Sequence, residues 1–161
     1  MTPDTTAVNI GLSDNARTSV AEALSGVLAD TFSLYTKTHG FHWNVTGPQF
    51  QTLHALFQEQ YNELWSAVDE IAERIRALGS YAPGDPNSLI ERSKIGNAPQ
   101  TPPSAEEMTK ILLADHETIA QRLRQAIETA DDADDDVSED LLIRRLEVHD
   151  KTAWMLRAMT A

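Results

Sequence analysis

Residues 50–79 read FQTLHALFQEQYNELWSAVDEIAERIRALG. Phe50, Leu53, Phe57, Tyr61, Leu64, Val68, Ile71, Ile75 and Leu78 step by three or four, which is the spacing of one helix face, and Gly79 stands where a helix stops. Such a helix spans about 45 Å at 1.5 Å per residue, with Pro48 expected in its first turn. On its N-terminal side a first helix starts at Ser13 or Asp14, carries Val20, Leu24, Val27, Leu34 and Tyr35 inward, and ends near Asn44, before Gly47. On the other side, residues 80–103 hold five prolines and two glycines. That is long for a connection inside a compact domain, but it suits a chain that must cross the whole length of a bundle. Asp85-Pro86 opens a short helix within it, through about Lys94. Ser104 and Glu107 form a capping box for a third long helix with Met108, Ile111, Leu112, Ile119, Leu123 and Ile127 inward, to about Ala130. Asp131, Asp132, Asp134, Asp135 and Asp136 read as a short turn. A fourth helix, with Leu142, Leu146, Ala153 and Leu156, then reaches nearly the last residue. The expectation is an all-α four-helix bundle over residues 13–161, preceded by a flexible N-terminal segment, residues 1–12.

Composition narrows the chemistry. The 161 residues are 41% apolar, enough for a packed core, and include no cysteine. Disulfides, thiolate metal sites, iron–sulfur clusters and cysteine nucleophiles are thereby excluded, leaving His, Asp and Glu as the strong metal ligands. Thirteen basic against twenty-five acidic side chains give a net charge of −12, which opposes a broad surface for nucleic acid or anionic lipid. No apolar run approaches a membrane span of roughly 18 residues, and Met1–Leu12 has neither a basic start nor an apolar stretch. A soluble, cytoplasmic protein with no membrane partner is expected.

Around the second helix, at 100° per residue, His54 lies about 70° from the centre of the apolar stripe, Gln58 about 110°, Asp69 about 130° and Glu73 about 170°. Asp69 and Glu73, at i and i+4, therefore share a face turned away from the chain's own core. That alone describes a solvated acidic face. His42 and Trp43, however, end the first helix, and His54 follows twelve residues later across a tight turn, so a helical hairpin can bring the two imidazoles together. His54 and Asp69 are about 22 Å apart along the axis and cannot share an ion within one chain. They can share one across a two-fold axis, if two copies of the helix cross antiparallel near residues 62–64. Trp65 lies on the same rim and suits an interface. Two imidazoles and two carboxylates suit Fe(II), Mn(II) or Zn(II). The Glu-x-x-His signature of an intrachain di-iron site is absent, because Thr36, His39, Gln51, Leu113 and Leu146 hold the positions three before each histidine.

The segment His42-Trp43-Asn44-Val45-Thr46-Gly47, with Phe50, Leu53-His54, Tyr61 and Asp69-Glu70-Ile71-Ala72-Glu73-Arg74, resembles the Dps family, the mini-ferritins also described as DNA-binding proteins from starved cells. The likeness continues to Asp150-Lys151 and Trp154. It implies a ferritin-like bundle, a hollow homo-dodecamer, and oxidation of Fe(II) by hydrogen peroxide (or O2) at inter-subunit ferroxidase centres, with ferric oxide stored inside and DNA protected from oxidative damage. Carried over, the ligands are His42 and His54 of one chain with Asp69 and Glu73 of another, and Trp43 is the aromatic beside the iron. The resemblance implies no haem. Gln58 stands where many members place Asp, so the site reads as either a mono-iron or a di-iron centre, with His39 and Gln58 as further candidate ligands. His116 and His149 read as packing or network residues.

Some members bind DNA through lysine-rich tails. Here the first sixteen residues carry no Lys or Arg, so DNA binding is expected to be weak or absent. The alternative is a nucleoid-associated structural protein with little ferroxidase activity, which the acidity disfavours. The same resemblance points to Asp131, Asp136 and Asp140 as the lining of an iron-entry pore, with helix capping as the plainer role for Asp136 and Asp140.

Overall fold

The computed structural model describes residues 7–160. Its helices are α1 (Asp14–Asn44), α2 (Phe50–Ala77), α3 (Pro86–Arg92), α4 (Ala105–Asp132) and α5 (Asp136–Met159), with no strand among the described residues. Side-chain oxygens cap four of the five starts: Ser13 accepts from the amide of Ala16, Asp85 from Ser88, Ser104 from Glu107 and Asp135 from Ser138. Residues 1–6 of the expected N-terminal segment lie outside the described residues, whereas Leu12 packs on the core.

Cross-helix pairs fix the topology. Lys37 meets Asp115, and Asp30, seven residues earlier, meets Arg122, seven later, so α1 and α4 run antiparallel. Glu63 with Arg145, then Arg74 with Asp135, set α2 against α5 in the same sense. Between these helices Leu24, Leu34, Leu53, Phe57, Leu64, Ile71, Ile75, Met108, Leu112, Ile119, Leu123 and Leu156 are fully buried. The apolar stripes thus meet in one core, as their spacing predicts. The α2–α4 connection with α3 inside it is the long crossover of a ferritin-like bundle.

Three boundaries differ from expectation, each for a local reason. Pro48 precedes α2 rather than opening it; Gly47 takes φ 104° in the turn, and α2 begins only at Phe50. The short helix stops at Arg92, because buried Asp30 captures the Ser93 hydroxyl at 3.0 Å and the Lys94 amide at 2.6 Å. Asp131 and Asp132 belong to the last turn of α4, and the turn proper is Ala133–Asp135, with Asp134 at φ 54°.

Asp135 is the buried member of the acidic cluster. Its carboxylate takes the Arg74 guanidinium at 2.7 Å and the amide and hydroxyl of Ser138, tying α2 to the start of α5. A second network lies deeper. Glu63 binds Arg145, whose guanidinium lies 3.4 Å from His149 Nε2, and His149 Nδ1 lies 2.9 Å from His116 Nδ1. Burial and the Arg145 cation push the His116 pKa down to about 3, and burial with the charges of His116 and Arg145 holds His149 well below its ordinary value.

Folded pKa values below the unfolded 6.5 mean that the unfolded chain binds protons which the native chain refuses. For His116 the stability is full above pH 6.5 and is lost as pH falls from there toward about 3, by about 1.4 kcal/mol per pH unit, and His149 shifts stability in the same direction. The melting temperature is therefore expected to drop between pH 6.5 and 5, and His116→Asn with His149→Asn to flatten that drop. A double variant with the parent's acid sensitivity would count against these two side chains as its source.

Candidate metal centre

The α1–α2 hairpin turns in five residues, which sets His42, in the last turn of α1, against His54, near the start of α2. His42 Nδ1 lies 2.7 Å from the carbonyl oxygen of His54, and His54 Nδ1 lies 2.8 Å from that of His42. A carbonyl only accepts, so each ring donates its Nδ1–H. The rings stack at 3.7 Å, and Phe50 stacks on His54 at 5.0 Å. In the uncharged rings this leaves Nε2 as a lone-pair donor on both, oriented by a backbone partner as metal-binding histidines usually are.

Asp69 and Glu73 are exposed on α2, and neither has a hydrogen bond or ion pair to another described residue. Their neighbours differ: Glu63 is held by Arg145, Glu70 by Arg144, and Arg74 holds Asp135. The chain thus brings the two histidines together and holds the two carboxylates well away from them. No three His, Asp or Glu side chains among the described residues converge to hold a metal ion. Trp43 is 66% exposed, Trp65 58% and Phe50 45%. Large aromatics flanking the histidine pair and the α2 surface mark a face suited to a second chain.

The subsidiary candidates separate. His39 stacks on Tyr61 at 3.9 Å and lies tilted against Trp43 at 4.2 Å, with Nδ1 3.3 Å from the Tyr35 hydroxyl. Burial and the neighbouring His42 lower its pKa. Gln58 is exposed one turn beyond His54. Asp131 and Asp136 are exposed near the α4–α5 turn, whereas Asp140 is ion-paired with Arg144. Sequence reading missed one feature of the site: Tyr35, His39 and Trp43 on α1 interleave with Tyr61 and Trp65 on α2 as a continuous aromatic array. The i, i+4, i+8 spacing on α1 and i, i+4 spacing on α2 are the signals that could have found it.

A ferritin-like domain model matches residues 21–161. The chain is 41% identical to DNA protection during starvation protein 2 of Bacillus anthracis over 139 residues, 86% of this chain and 94% of that one. It superposes on Dps from Staphylococcus aureus with a TM-score of 0.86 and 41% identity, over 88% of this chain and 95% of that one. The chain belongs to the Dps family of ferritin-like proteins. Dps from Vibrio cholerae O1, described as a member of a broad superfamily of ferritin-like diiron-carboxylate proteins, matches with a TM-score of 0.91 at 28% identity, over 96% of this chain and 98% of that one. Membership places this Dps protein among the mini-ferritins, and no described helix is long and apolar enough to cross a membrane.

The reciprocal bonds predict an observable tautomer. In the iron-free protein above pH 8, imidazole ¹⁵N spectra of His42 and His54 are expected to show Nδ1–H, and adding Fe(II) should broaden their Nε2 resonances first. Protonated Nε2 in both uncharged rings would contradict the arrangement.

Proposed function

We propose that this Dps protein is a cytoplasmic iron-storing ferroxidase, oxidising Fe(II) with hydrogen peroxide, or O2, at centres shared between subunits of a hollow dodecamer. The carrying observation is the reciprocally anchored His42/His54 pair, whose Nε2 atoms have no hydrogen-bond partner among the described residues, on a chain whose exposed Asp69 and Glu73 likewise have no side-chain partner among them. Two copies of α2 crossing antiparallel bring His42 and His54 of one chain to Asp69 and Glu73 of the other. Iron is the substrate. The imidazoles and carboxylates hold Fe(II) while neutralising its charge, and the resulting preference for Fe(III) favours loss of the electron to the oxidant. Removing iron and peroxide together protects DNA without contact, which suits a chain of net charge −12. A nucleoid-binding role instead requires a shift of duplex DNA at low salt.

Anaerobic Fe(II) titration of the purified oligomer, followed by peroxide, tests the reading. Asp69→Ala is expected to leave the fold intact and to slow rapid oxidation by roughly 100-fold or more. His42→Ala combined with Asp69→Ala should be little worse than either alone, since each dismantles the same site. Oxidation by Asp69→Ala at the parent's rate would refute the assignment.

Iron must also cross the acidic shell, and Asp131, Asp136 and Asp140 are the proposed entry residues. Asp136→Asn with Asp140→Asn is expected to slow uptake at limiting Fe(II) and weaken its salt dependence. Unchanged uptake at low ionic strength returns both to capping and ion pairing.

A further inference from the structure

Away from the histidine pair, a pocket of about 340 Å³ opens between α1, α4 and the chain that leaves α3. Arg92, Lys94 and Arg122 line it, with Glu22, Gln125 and Thr129. Three cations that converge on one concavity stand out in a chain of net charge −12.

The cations are held in place before any ligand arrives. Gly26 lies in the middle of α1, where a glycine is unfavourable, and a Cβ there would lie 3.1 Å from Arg122 Nη1. Without it, Arg122 Nη1 donates to the Gly26 carbonyl at 2.5 Å and to the Arg92 carbonyl at 3.1 Å. Fully buried Asp30 fixes the same corner. One of its oxygens takes the Lys94 amide, and the other lies 3.1 Å from Arg122 Nη1. All these contacts use Nη1. The Nε–Nη2 edge of Arg122, a fork that matches an oxyanion, has no partner among the described residues.

The remaining charges identify what that fork would meet. Lys94 is exposed and has no ion pair among the described residues. Arg92 binds Glu22 at 2.6 Å, but the two side chains are 40% and 70% exposed, so the carboxylate can swing out at little cost. Glu22 thus shows that an oxyanion fits against Arg92, and a more highly charged one can displace it. Asp30 offsets Arg122 and Glu22 offsets Arg92, which leaves Lys94 in excess even before that exchange. A carboxylate has two oxygens for three cations, whereas a phosphate has three and a charge approaching two. A phosphate group fills only part of the volume, leaving room for a small ester substituent. We propose that this pocket binds a phosphate group, as the free anion or on a small monoester. The site is a recess for one phosphate, and it stands independently of the ferroxidase reading.

Isothermal titration of the iron-free oligomer at fixed ionic strength tests this, with inorganic phosphate in one arm and adenosine 5′-monophosphate in the other. Iron is removed first because ferric ions bind phosphate themselves. The parent is expected to bind at a single site per chain. Arg92→Gln/Lys94→Gln changes two exposed side chains and should weaken binding by roughly tenfold or more. Lys110→Gln, which removes an exposed base outside the pocket, should leave binding unchanged. Tighter binding of inorganic phosphate assigns the site to the free anion, tighter binding of the monoester assigns it to esters, and equal binding shows that the phosphate alone is read. A second measurement needs no variant: phosphate should slow acetylation of the Lys94 ammonium several-fold, read by mass spectrometry, and leave Lys110 unprotected. No saturable binding of either probe, equal affinity in the parent and the double variant, or no protection of Lys94 overturns the proposal.

Discussion

Two imidazole N–H groups, each bonded to the other residue's backbone carbonyl, tie the last turn of α1 to the start of α2. The last carbonyls of α1 lack intrahelical partners, so the His54 ring satisfies the His42 acceptor, whereas the His54 carbonyl, inside α2, takes the His42 ring as a second donor. The same contacts fix the turn, choose the tautomer of both rings and leave both Nε2 atoms without a hydrogen-bond partner among the described residues. Hairpin register and ligand orientation are thus one interaction rather than two. Gly47 makes it attainable, because its φ of 104° allows a turn short enough to bring residues 42 and 54 together.

The interior of the bundle explains why a metal site would lie at its surface. Where α2, α4 and α5 meet, the polar groups are Glu63, Arg145, His149 and His116. Arg145 is a permanent cation beside two histidines that burial already keeps from protonating. A divalent ion there would face the guanidinium at low effective dielectric, where like-charge repulsion is strongest. The network keeps an ion out of the interior, whereas Asp69 and Glu73, exposed on α2 with no side-chain partner among the described residues, can meet one.

Most of the bundle was legible because each long helix carries an apolar stripe at helical spacing and most carry a recognisable cap. The crossover was legible from the prolines and from the length that a 28-residue α2 imposes. Boundaries were missed where a distant side chain overrides local preference: nothing near Lys94 in sequence announces that Asp30, sixty-four residues earlier, will end α3. Asp135 could not be told from its neighbours, because a run of aspartates hides the one that meets Arg74. At the site, the twelve-residue spacing of His42 and His54 was readable, and the structure joins them. The aromatic array was not read, since Tyr35 and Tyr61 also fit the apolar stripes and only packing shows that their rings line up toward His42.

The acidic excess is not explained by capping throughout. Asp136, in the first turn of α5, sits where the helix dipole favours a carboxylate, and Asp135 is a buried cap. Asp131 and Asp132 occupy the last turn of α4, where the dipole disfavours them and no basic residue stands in that turn to compensate. Each is therefore unfavourable by a few tenths of a kcal/mol in an isolated helix. Asp140 is already neutralised by Arg144, which also reaches Glu70. Of the proposed entry residues, Asp131 is thus the one whose position local helix energetics oppose. A passing cation would relieve that opposition, so an entry role accounts for the acids at the end of α4 as well as those at the start of α5, whereas dipole and capping arguments account only for the latter.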